Sequence, residues 1–400
     1  MAFLIRTLLP ALIANLVLAG PALDPAALDQ LFADASEQHS DALFVYQDGQ
    51  SVRERFYDAK DGRIYLYSVT KVFAGLAVGL AWDKGLIRSI EEPLSTWYPE
   101  LASDPAKSHL KLRHVLQHTS GIFTTAGSHD IYPQKDFVRF ALQSPLVSAP
   151  GEEFKYNNRA INVASGVVGK VTGKSMEELL VTDLFRPLGI TDYKFRHDKT
   201  GNTWAMDGLE MKASDLVKIG CVLAESGRWK GQQLLSERWM AVATQASLIS
   251  LDRNGAYGLG VFVLEPDAKL TIPSNALAAL EKAGLSTPIL AKLRPLADRE
   301  YQGGKEFGIA LKQALSLAEL ESITSVAGQA MIPVYRNLGD RKLVAHSGEI
   351  GEVLVAMPGT GIAVARTIGE KRGRAGDYTF GRIYRDVLNL VKPPGNDAGK

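Results

Sequence analysis

Apolar and polar positions recur with different periods along the chain, and these periods predict its elements. Residues 24–38 place apolar side chains at helical spacing after an Asp, which predicts a capped amphipathic helix. Residues 41–58 alternate on both sides of Asp48-Gly49, which predicts two strands joined by a tight turn. Residues 71–82 are small and apolar on almost every side, a pattern typical of a buried helix.

Strand patterns return only near the end of the chain. From residue 71 to about residue 250 the patterns are mostly helical and are separated by Pro and Gly loops. Four strands in antiparallel succession and a closing helix are then predicted, at 257–265, 342–348, 352–359, 361–368 and, for the helix, 378–391. Because strands lie at both ends of the chain, we expect one α/β (α+β) domain whose termini share a sheet, with helices inserted between them.

The same patterns predict how the chain is divided. One domain would span residues 23–392, with a sheet part from 40–70 and 257–392 and a helical part from 71–256. Residues 266–341 are rich in helix formers and predict a helical insertion, which either elaborates the surface or covers the site. Residues 393–400 read as a flexible tail.

The first 22 residues have the pattern of an export signal. Arg6 precedes an uncharged apolar run over 7–20, and small residues follow, so that cleavage is expected after Ala19 or Ala22. The run is short for a membrane span, and an uncleaved anchor is the alternative. We therefore expect a periplasmic or secreted protein without strong membrane association after cleavage.

Composition excludes several classes of function. The 400 residues are 46% hydrophobic and 22% charged, the balance of a globular protein with a sizeable core. Lys and Arg total 45 against 44 Asp and Glu, so nothing favours capture of nucleic acid. Cys221 is the only cysteine, which rules out an intrachain disulfide, and its apolar helical surroundings predict a packed thiol.

Two segments place a Ser three residues before a Lys, which brings both side chains to one face of a helix. Ser68 and Lys71 lie where a strand-like segment gives way to the predicted buried helix. There the helix dipole would stabilise an alkoxide, and desolvation would lower the lysine pKa enough to make the amine a base. Ser108 and Lys111 are flanked by polar residues, and a helix cap is the better interpretation.

Three further segments accompany "YSVTK" (67–71). They are "LRHVLQHTSGI" (112–122), the long block 150–190 that begins "PGEEFKYNNRAINVASG", and the block 208–240 that begins "GLEMKASDLVKIG". Taken together, the four segments resemble the serine β-lactamase-related superfamily, which includes class C β-lactamases, D,D-peptidases and related esterases. The resemblance covers roughly residues 40–265 and 342–392. It implies a β-lactamase/transpeptidase-like fold and an acyl-enzyme formed on Ser68, with no cofactor.

The resemblance places a Tyr-x-Asn motif at Tyr156-Asn157-Asn158. It implies that Tyr156 shuttles a proton, with Lys71 lowering the phenol pKa, and that Asn158 hydrogen-bonds the substrate amide or Lys71. Tyr335-Arg336-Asn337 also spells the motif. It lacks the preceding Pro-Gly loop and the following helix, and we interpret it as coincidence.

The third motif of the superfamily is usually Lys-Thr-Gly on an inner strand near the C-terminus. The literal string Lys199-Thr200-Gly201 lies in a polar, turn-like stretch, whereas His346-Ser347-Gly348 lies in a strand pattern and is the match we expect to bind substrate. A histidine there would give a charge that depends on pH. The resemblance also implies an oxyanion hole made by the backbone N–H groups of Ser68 and Glu349. The Glu349 carboxylate would oppose anionic substrates.

Two other kinds of hydrolase find little support. His114 and His118 have the helical spacing of metal ligands, but no Glu lies between them in an H-E-x-x-H motif, and the resemblance makes them structural. No metal is therefore expected. The chain also has no G-x-S-x-G motif, which argues against an α/β-hydrolase.

The predicted function is that of an exported serine hydrolase acting on a small ester, amide or peptide. A neutral or modestly polar ester or amide is the expected substrate. One alternative is a β-lactamase or D,D-peptidase-like enzyme acting on β-lactams or D-amino acid peptides. Another is a catalytically weak binding or regulatory protein of the same fold.

Overall fold

The computed structural model describes residues 20–57, 61–125, 127–250, 256–265, 268–338, 341–369 and 380–392. Nearly all of the predicted export signal, residues 1–19, and the predicted tail, residues 393–400, lie outside these ranges. Within the described ranges, no helix combines the length and the hydropathy that crossing a bilayer requires.

Helices contain more of the described residues than strands do. They are α1 (Pro25–Glu37), α2 (Thr70–Asp83), α3 (Leu112–Leu116), α4 (Phe137–Gln143), α5 (Asn158–Thr172), α6 (Met176–Leu180), α7 (Ala213–Ala224), α8 (Glu237–Ala243), α9 (Ser274–Lys282), α10 (Thr287–Leu293), α11 (Gly303–Ala314), α12 (Leu317–Ala330) and α13 (Phe380–Asn389). Helix α1 begins as predicted, because the Asp24 side chain accepts hydrogen bonds from the N–H groups of Ala26 and Ala27.

Within the described residues, the strands form one large sheet and three small ones. They are β1 (Ala42–Gln47), β2 (Gln50–Phe56), β3 (Ile64–Tyr65), β4 (Tyr193–Phe195), β5 (Leu209–Met211), β6 (Arg228–Trp229), β7 (Gln232–Gln233), β8 (Ala256–Tyr257), β9 (Phe262–Leu264), β10 (Lys269–Thr271), β11 (Tyr301–Gln302), β12 (Arg336–Asn337), β13 (Leu343–Ser347), β14 (Val353–Met357) and β15 (Ile362–Thr367). The large sheet has the order β2-β1-β15-β14-β13-β9-β8.

The two ends of the chain share this large sheet. Strand β1 pairs antiparallel with β15, with Val45 opposite Val364, and β13, β14 and β15 follow one another as antiparallel neighbours. Alternate side chains face opposite layers, since the period of a strand is two. Phe44 and Val344 pack toward the layer that contains α2, while Val45 packs toward α1 and α13. The predicted fold class is confirmed.

Helix α2 lies inside the molecule, as its composition predicts. Its residues from Thr70 to Ala81 are all buried. Two glycines allow neighbouring segments to approach its backbone. A Cβ at Gly75 would lie 2.3 Å from the Leu259 carbonyl oxygen, and one at Gly79 would lie 2.3 Å from the Trp239 indole nitrogen. The helix that follows Ser68 is therefore held on several sides.

Three predicted elements differ from the structure. Residues 257–265 do not form one strand, because a turn centred on Gly260, whose φ is +83°, folds them into the β8–β9 hairpin. The strand-like segment before Ser68 contributes only β3, which pairs with β5 outside the large sheet. The insertion at 266–341 is not wholly helical, since β10 pairs with β11 and β12 beside its four helices. Its sheet joins residues too far apart for local periodicity to reveal.

Candidate active site

Ser68 and Lys71 form the centre of the candidate site. Ser68 is partly exposed in a tight 3₁₀ turn, Tyr67–Val69, and Tyr67 has a φ of +46°, which is uncommon for a bulky residue. Lys71 lies one turn later and is 0% exposed. Its Nζ is 2.9 Å from Ser68 Oγ and donates to the Met206 carbonyl oxygen at 2.6 Å. The lysine therefore has one fixed anchor and faces the serine.

Burial changes the acidity of this lysine. Desolvation lowers the pKa of Lys71 from 10.5 to about 7, and the nearby Asp207 carboxylate opposes part of that shift. An ordinary lysine is almost entirely protonated at neutral pH, whereas Lys71 is a free amine in a substantial fraction of molecules. Such an amine can accept the proton of a serine hydroxyl.

Tyr156 lies on the other side of Lys71. Lys71 Nζ is 4.9 Å from the centroid of the phenol ring, and the Ser68 side chain is within hydrogen-bond reach of the hydroxyl. Burial raises the Tyr156 pKa, and the hydrogen bond to Ser68 opposes this only in part. The expectation of a lowered pKa is therefore wrong, because loss of water dominates and the nearby Asp207 carboxylate acts in the same direction. The phenol keeps its proton near neutral pH.

Aromatic rings hold Tyr156 in place. Its ring lies 4.5 Å from the His118 ring and stacks on Phe262 at 6.2 Å, measured between centroids. His118 is buried, and its Nδ1 accepts a hydrogen bond from the Asn157 backbone. Sequence reasoning gave Phe262 no role in the site. It reaches the phenol because the β8–β9 hairpin turns back toward the helices.

Two asparagines on α5 organise the neighbouring loop. Asn158 donates from Nδ2 to Ser128 Oγ at 2.8 Å, and the backbone carbonyl of Asn158 accepts from Asn162 Nδ2 at 2.9 Å. Asn162 Oδ1 in turn accepts from the Met206 backbone N–H, which fixes the carbonyl that anchors Lys71. Asn162 was not predicted as a site residue. The sequence signal that could have found it is a polar residue four positions after Asn158 in a buried helix.

His346 lies on β13, close to the aromatic rings of Tyr156 and Phe262. It is 0% exposed, and its Nε2 is 3.1 Å from the Tyr257 hydroxyl oxygen. Burial lowers the His346 pKa to about 3, and Lys71 nearby acts in the same direction. The expectation of a charge that varies near neutral pH is therefore wrong. His346 is a neutral hydrogen-bonding group wherever Lys71 can act as a base.

In the rest of the His346-Ser347-Gly348 motif, the backbone rather than the side chains lies near the segment that leads to Ser68. The Ser347 side chain follows on the opposite face of β13 and is within hydrogen-bond reach of Tyr384 on α13. Gly348 lies against the Leu66 carbonyl, where an added Cβ would be only 2.7 Å away. Glu349 is exposed in the turn that follows. A role in substrate binding for these three residues stays a prediction.

Asp207 is a buried acid that sequence reasoning missed. It is 6% exposed, and its Oδ2 accepts a hydrogen bond from the Tyr132 hydroxyl at 2.6 Å. Burial raises the Asp207 pKa, while Tyr132 and Lys71 oppose that shift. No motif marks this residue. Its neighbour Met206 supplies the carbonyl for Lys71, and this pair becomes recognisable only in three dimensions.

The rejected sequence matches occupy other surroundings. Lys111 Nζ contacts Glu91 and Glu321, at 3.1 and 3.3 Å, and Ser108 lies in an exposed turn. Tyr335 is buried in the insertion, with its hydroxyl accepting from the Ala246 N–H. The Lys199-Thr200-Gly201 string forms a turn around Asp198. None of these residues contacts Ser68 among the described interactions.

The two candidate metal ligands, His114 and His118, contact different residues. His114 Nε2 is 3.1 Å from Glu321, whereas His118 packs on Tyr156. Across the described parts of the chain, no group of three or more His, Cys, Asp or Glu side chains is arranged to hold a metal ion.

Several known proteins resemble this chain. Penicillin-binding protein 4* of Bacillus subtilis (strain 168) is 25% identical over 186 residues, which cover 41% of this chain and 40% of that protein. The 6-aminohexanoate-dimer hydrolase of Paenarthrobacter ureafaciens is 27% identical over 224 residues, which cover 51% of this chain and 57% of the hydrolase. The chain thus spans less than two thirds of the length of these curated relatives.

A solved structure extends the likeness over nearly the whole fold. A family VIII carboxylesterase superposes with a TM-score of 0.59 at 14% identity, covering 92% of this chain and 98% of the esterase. At that identity the likeness concerns the fold alone. The sequence model of the Beta-lactamase family matches residues 28–372, which is most of the chain. The chain therefore belongs to the Beta-lactamase family, a family of serine hydrolases that includes esterases, amidohydrolases and β-lactamases.

Proposed function

We propose that this protein hydrolyses a small ester or amide through an acyl-enzyme formed on Ser68. The observation that carries the proposal is the placement of Lys71. A wholly buried amine with a pKa lowered to about 7 lies 2.9 Å from a partly exposed serine hydroxyl. A lysine in that position is matched to the task of a general base near neutral pH.

The first step follows from these contacts. Lys71 accepts the Ser68 proton as Oγ attacks the substrate carbonyl, and the Met206 carbonyl keeps the amine oriented during the transfer. The negative charge that develops on the substrate oxygen is held by the backbone N–H groups of Ser68 and Glu349. This oxyanion assignment is carried over from the resemblance, and the closeness of Gly348 to the Leu66 carbonyl supports it.

The leaving group then needs a proton, and Tyr156 is placed to supply it. Its raised pKa keeps the phenol protonated, and Lys71, now charged and 4.9 Å from the centre of the ring, is the nearby cation that would restore the proton. Water attacks the acyl-enzyme in the reverse sequence, with Lys71 as base, and releases the acid. No cofactor is required for either half of this cycle.

The charges around the site favour a neutral substrate. His346 is uncharged near neutral pH, so it cannot supply a cation for a substrate carboxylate. Glu349, beside the proposed oxyanion position, disfavours an anion further. The names of two similar proteins, a carboxylesterase and a 6-aminohexanoate-dimer hydrolase, support esters and amides as the substrate class. Hydrolysis of β-lactams or D-amino acid peptides is the second candidate, favoured by the similarity to a penicillin-binding protein.

Covalent labelling tests the proposal. A fluorophosphonate probe is expected to label the wild-type protein once, at Ser68, and peptide mass spectrometry identifies the modified residue. Ser68→Ala should abolish labelling and the turnover of p-nitrophenyl esters. Ser108→Ala is the matched control, since it removes the serine of the other S-x-x-K segment, and it should be labelled fully. Equal labelling of Ser68→Ala and wild type would overturn the assignment.

Location and domain division belong to the same proposal. The charge-free run over 7–20 with small residues after it supports export by a cleaved signal. The pairing of β1 with β15 supports a single hydrolase domain over 23–392, with 266–341 as an insertion that docks on α3 through Glu321 and Arg113.

A further inference from the structure

Glu352 is a buried carboxyl group directly behind the proposed oxyanion turn. It is 0% exposed and immediately precedes β14, so it closes the connection that begins at Gly348. Its own backbone carbonyl accepts the Gly348 N–H at 2.8 Å. The residue is thus bonded across the base of the turn that contains Glu349.

The side chain of Glu352 also touches this turn. A Cβ added to Gly348 would lie 2.2 Å from Glu352 Oε2 and 2.7 Å from the Leu66 carbonyl oxygen. The space beside the Gly348 Cα is therefore closed by the carboxyl group and by the segment leading to Ser68. A change of position or charge at this contact would therefore act on the turn that carries the Glu349 N–H, one of the two proposed oxyanion donors.

Few charges face this carboxyl group. Arg366 on β15 is the nearby cation, but its NH1 and NH2 donate to the Gln38 side chain and backbone, at 2.9 and 3.3 Å. Glu349 on the turn is the nearby anion. Among the described residues, neither oxygen of Glu352 completes a hydrogen bond of normal geometry, and the N–H groups of Ile350 and Glu352 compensate only in part.

We propose that Glu352 is a positioning residue for the oxyanion hole, which supports catalysis while its carboxyl group is protonated and fails when that proton is lost. A neutral carboxyl group can pack against Gly348 without placing charge there. An anion at the same point would repel the negative oxygen that develops in the transition state and would also draw the turn toward Arg366.

The acidity of the group agrees with this geometry. Burial raises the Glu352 pKa to about 8, with Arg366 opposing and Glu349 reinforcing the shift. The carboxyl group is then mostly protonated at pH 7 and mostly ionised above pH 9. Since the Lys71 pKa is about 7, we expect kcat/KM to rise through the Lys71 pKa and to fall through that of Glu352. Tyr156 cannot cause a fall near pH 8, because its pKa is raised above the ordinary value of 10.0.

The inference rests on the proposed hydrolase function, and the experiment separates the two. The kcat/KM of wild type and Glu352→Gln for a neutral p-nitrophenyl ester is measured from pH 5.5 to 10. We expect wild type to lose about tenfold between its maximum and pH 9.5, from one added charge near the oxyanion. Glu352→Gln should keep the rising limb and lose the falling one. Glu281→Gln, at an exposed site on α9, is the matched control and should follow wild type.

The possible outcomes distinguish the role of Glu352 from the hydrolase function itself. A falling limb that persists unchanged in a folded Glu352→Gln protein overturns the inference while the hydrolase proposal stands. If wild type neither turns over esters nor is labelled at Ser68, the proposed function fails instead. Should Glu352→Gln not fold, wild type carrying ¹³C at the glutamate carboxyl carbons is titrated by NMR. A carboxyl resonance that titrates near pH 8 together with the falling limb supports the inference, and absence of any such resonance overturns it.

Discussion

Lys71 Nζ and the carbonyl oxygen of Met206 are 2.6 Å apart, although 135 positions separate the two residues in the chain. This hydrogen bond takes one N–H of the lysine and turns the amine toward Ser68 Oγ. The contact explains how a side chain with many rotamers is held facing the serine. The reactivity proposed for Ser68 therefore depends on the protonation of a single amine, that of Lys71.

The first prediction concerns the acid limb of the pH profile. Because the Lys71 pKa is lowered to about 7, kcat/KM for a neutral ester should rise as pH increases through that value. Lys71→Arg carries a permanent charge and should lose about 10²- to 10⁴-fold in kcat/KM. Lys111→Arg, in the other S-x-x-K segment, is the control and should keep the wild-type profile. Activity retained in Lys71→Arg would contradict the role of the amine as base.

The effect of Asp207 on the Lys71 pKa gives a second prediction. Its carboxylate raises the Lys71 pKa, so Asp207→Asn should move the rising limb to lower pH. The amide can still accept the hydrogen bond from Tyr132, which limits structural damage. The measurement is kcat/KM between pH 5 and 8, beside thermal unfolding as a check of the fold. A limb that stays in place would show that Asp207 does not act on Lys71.

His346 gives a prediction about selectivity. Since its pKa is lowered to about 3, it stays neutral from pH 5 to pH 8. The ratio of kcat/KM for a neutral ester to that for nitrocefin, which carries a carboxylate, should therefore show no step caused by His346 in that range. The ester should be preferred throughout. A step in wild type that disappears in His346→Gln would mean that the imidazole titrates near neutral pH after all.

Gly348 gives a prediction about geometry. In Gly348→Ala the new methyl group would lie 2.2 Å from Glu352 Oε2 and 2.7 Å from the Leu66 carbonyl, so the turn must move. A displacement of about 1 Å at the oxyanion position should cost about 100-fold in kcat, with a smaller effect on KM. Gly169→Ala on α5 is the control, because the nearest atom to its added Cβ is 3.9 Å away. Unchanged kcat in Gly348→Ala would argue against the proposed oxyanion turn.

Glu321 gives a prediction about stability. It binds Arg113 at 2.6 Å, and Arg113 is only 1% exposed. Glu321→Ala removes one of the two carboxylates that bind Arg113, which keeps its contact with Glu91 at 2.6 Å. Loss of this charged hydrogen bond should lower the free energy of unfolding by about 2 kcal/mol. Chemical denaturation at pH 7 measures this change, and Glu281→Ala on the exposed face of α9 should be nearly neutral. A loss no greater than that of the control would contradict the proposed docking contact.

The same ion pair predicts the direction of a pH dependence. Its partners lower the Glu321 pKa from 4.5 to about 2, although burial alone would raise it. A group whose folded pKa is lower than its unfolded pKa contributes stability that is fully present above the unfolded value. That contribution should therefore be lost as pH falls from about 4.5 toward 2 in wild type, and Glu321→Ala should lose correspondingly less. Unfolding curves at pH 3 and pH 7 make the comparison.

The last prediction concerns export. If the apolar run over 7–20 is a cleaved signal, intact-mass analysis of the mature protein should find an N-terminus at Gly20 or Leu23. Expression in a bacterial host with separate analysis of periplasm and membranes provides the sample. A protein that keeps Met1 in the membrane fraction would instead support an uncleaved anchor.

Local patterns in the sequence were sufficient for much of the fold. The Asp24 cap, the β1–β2 hairpin, the buried helix α2 and the strands β13 to β15 all lie where period and composition predict them. The spacing of Ser68 and Lys71 also determines that they share a helix face, since three positions make nearly one turn. These features depend on neighbours within a few residues, which a sequence displays directly.

The protonation states could not be predicted in this way. Tyr156 was expected to have a lowered pKa and His346 a charge near neutral pH, and both expectations are wrong. A pKa depends on how much water a group loses and on which charges surround it. For His346 the buried surroundings include Tyr257 and Phe262, which only the β8–β9 hairpin brings into contact.

Tertiary structure also decided which unmarked residues join the site. Met206, Asp207 and Glu352 belong to no motif. Met206 contacts Lys71, Asp207 raises the Lys71 pKa, and Glu352 contacts the turn after β13. The sequence by itself determined most of the elements and the candidate pair Ser68 and Lys71, because helix and strand periods are local. The acidity and alignment of that pair follow from desolvation and contacts between distant segments, and these arise only when the chain has folded.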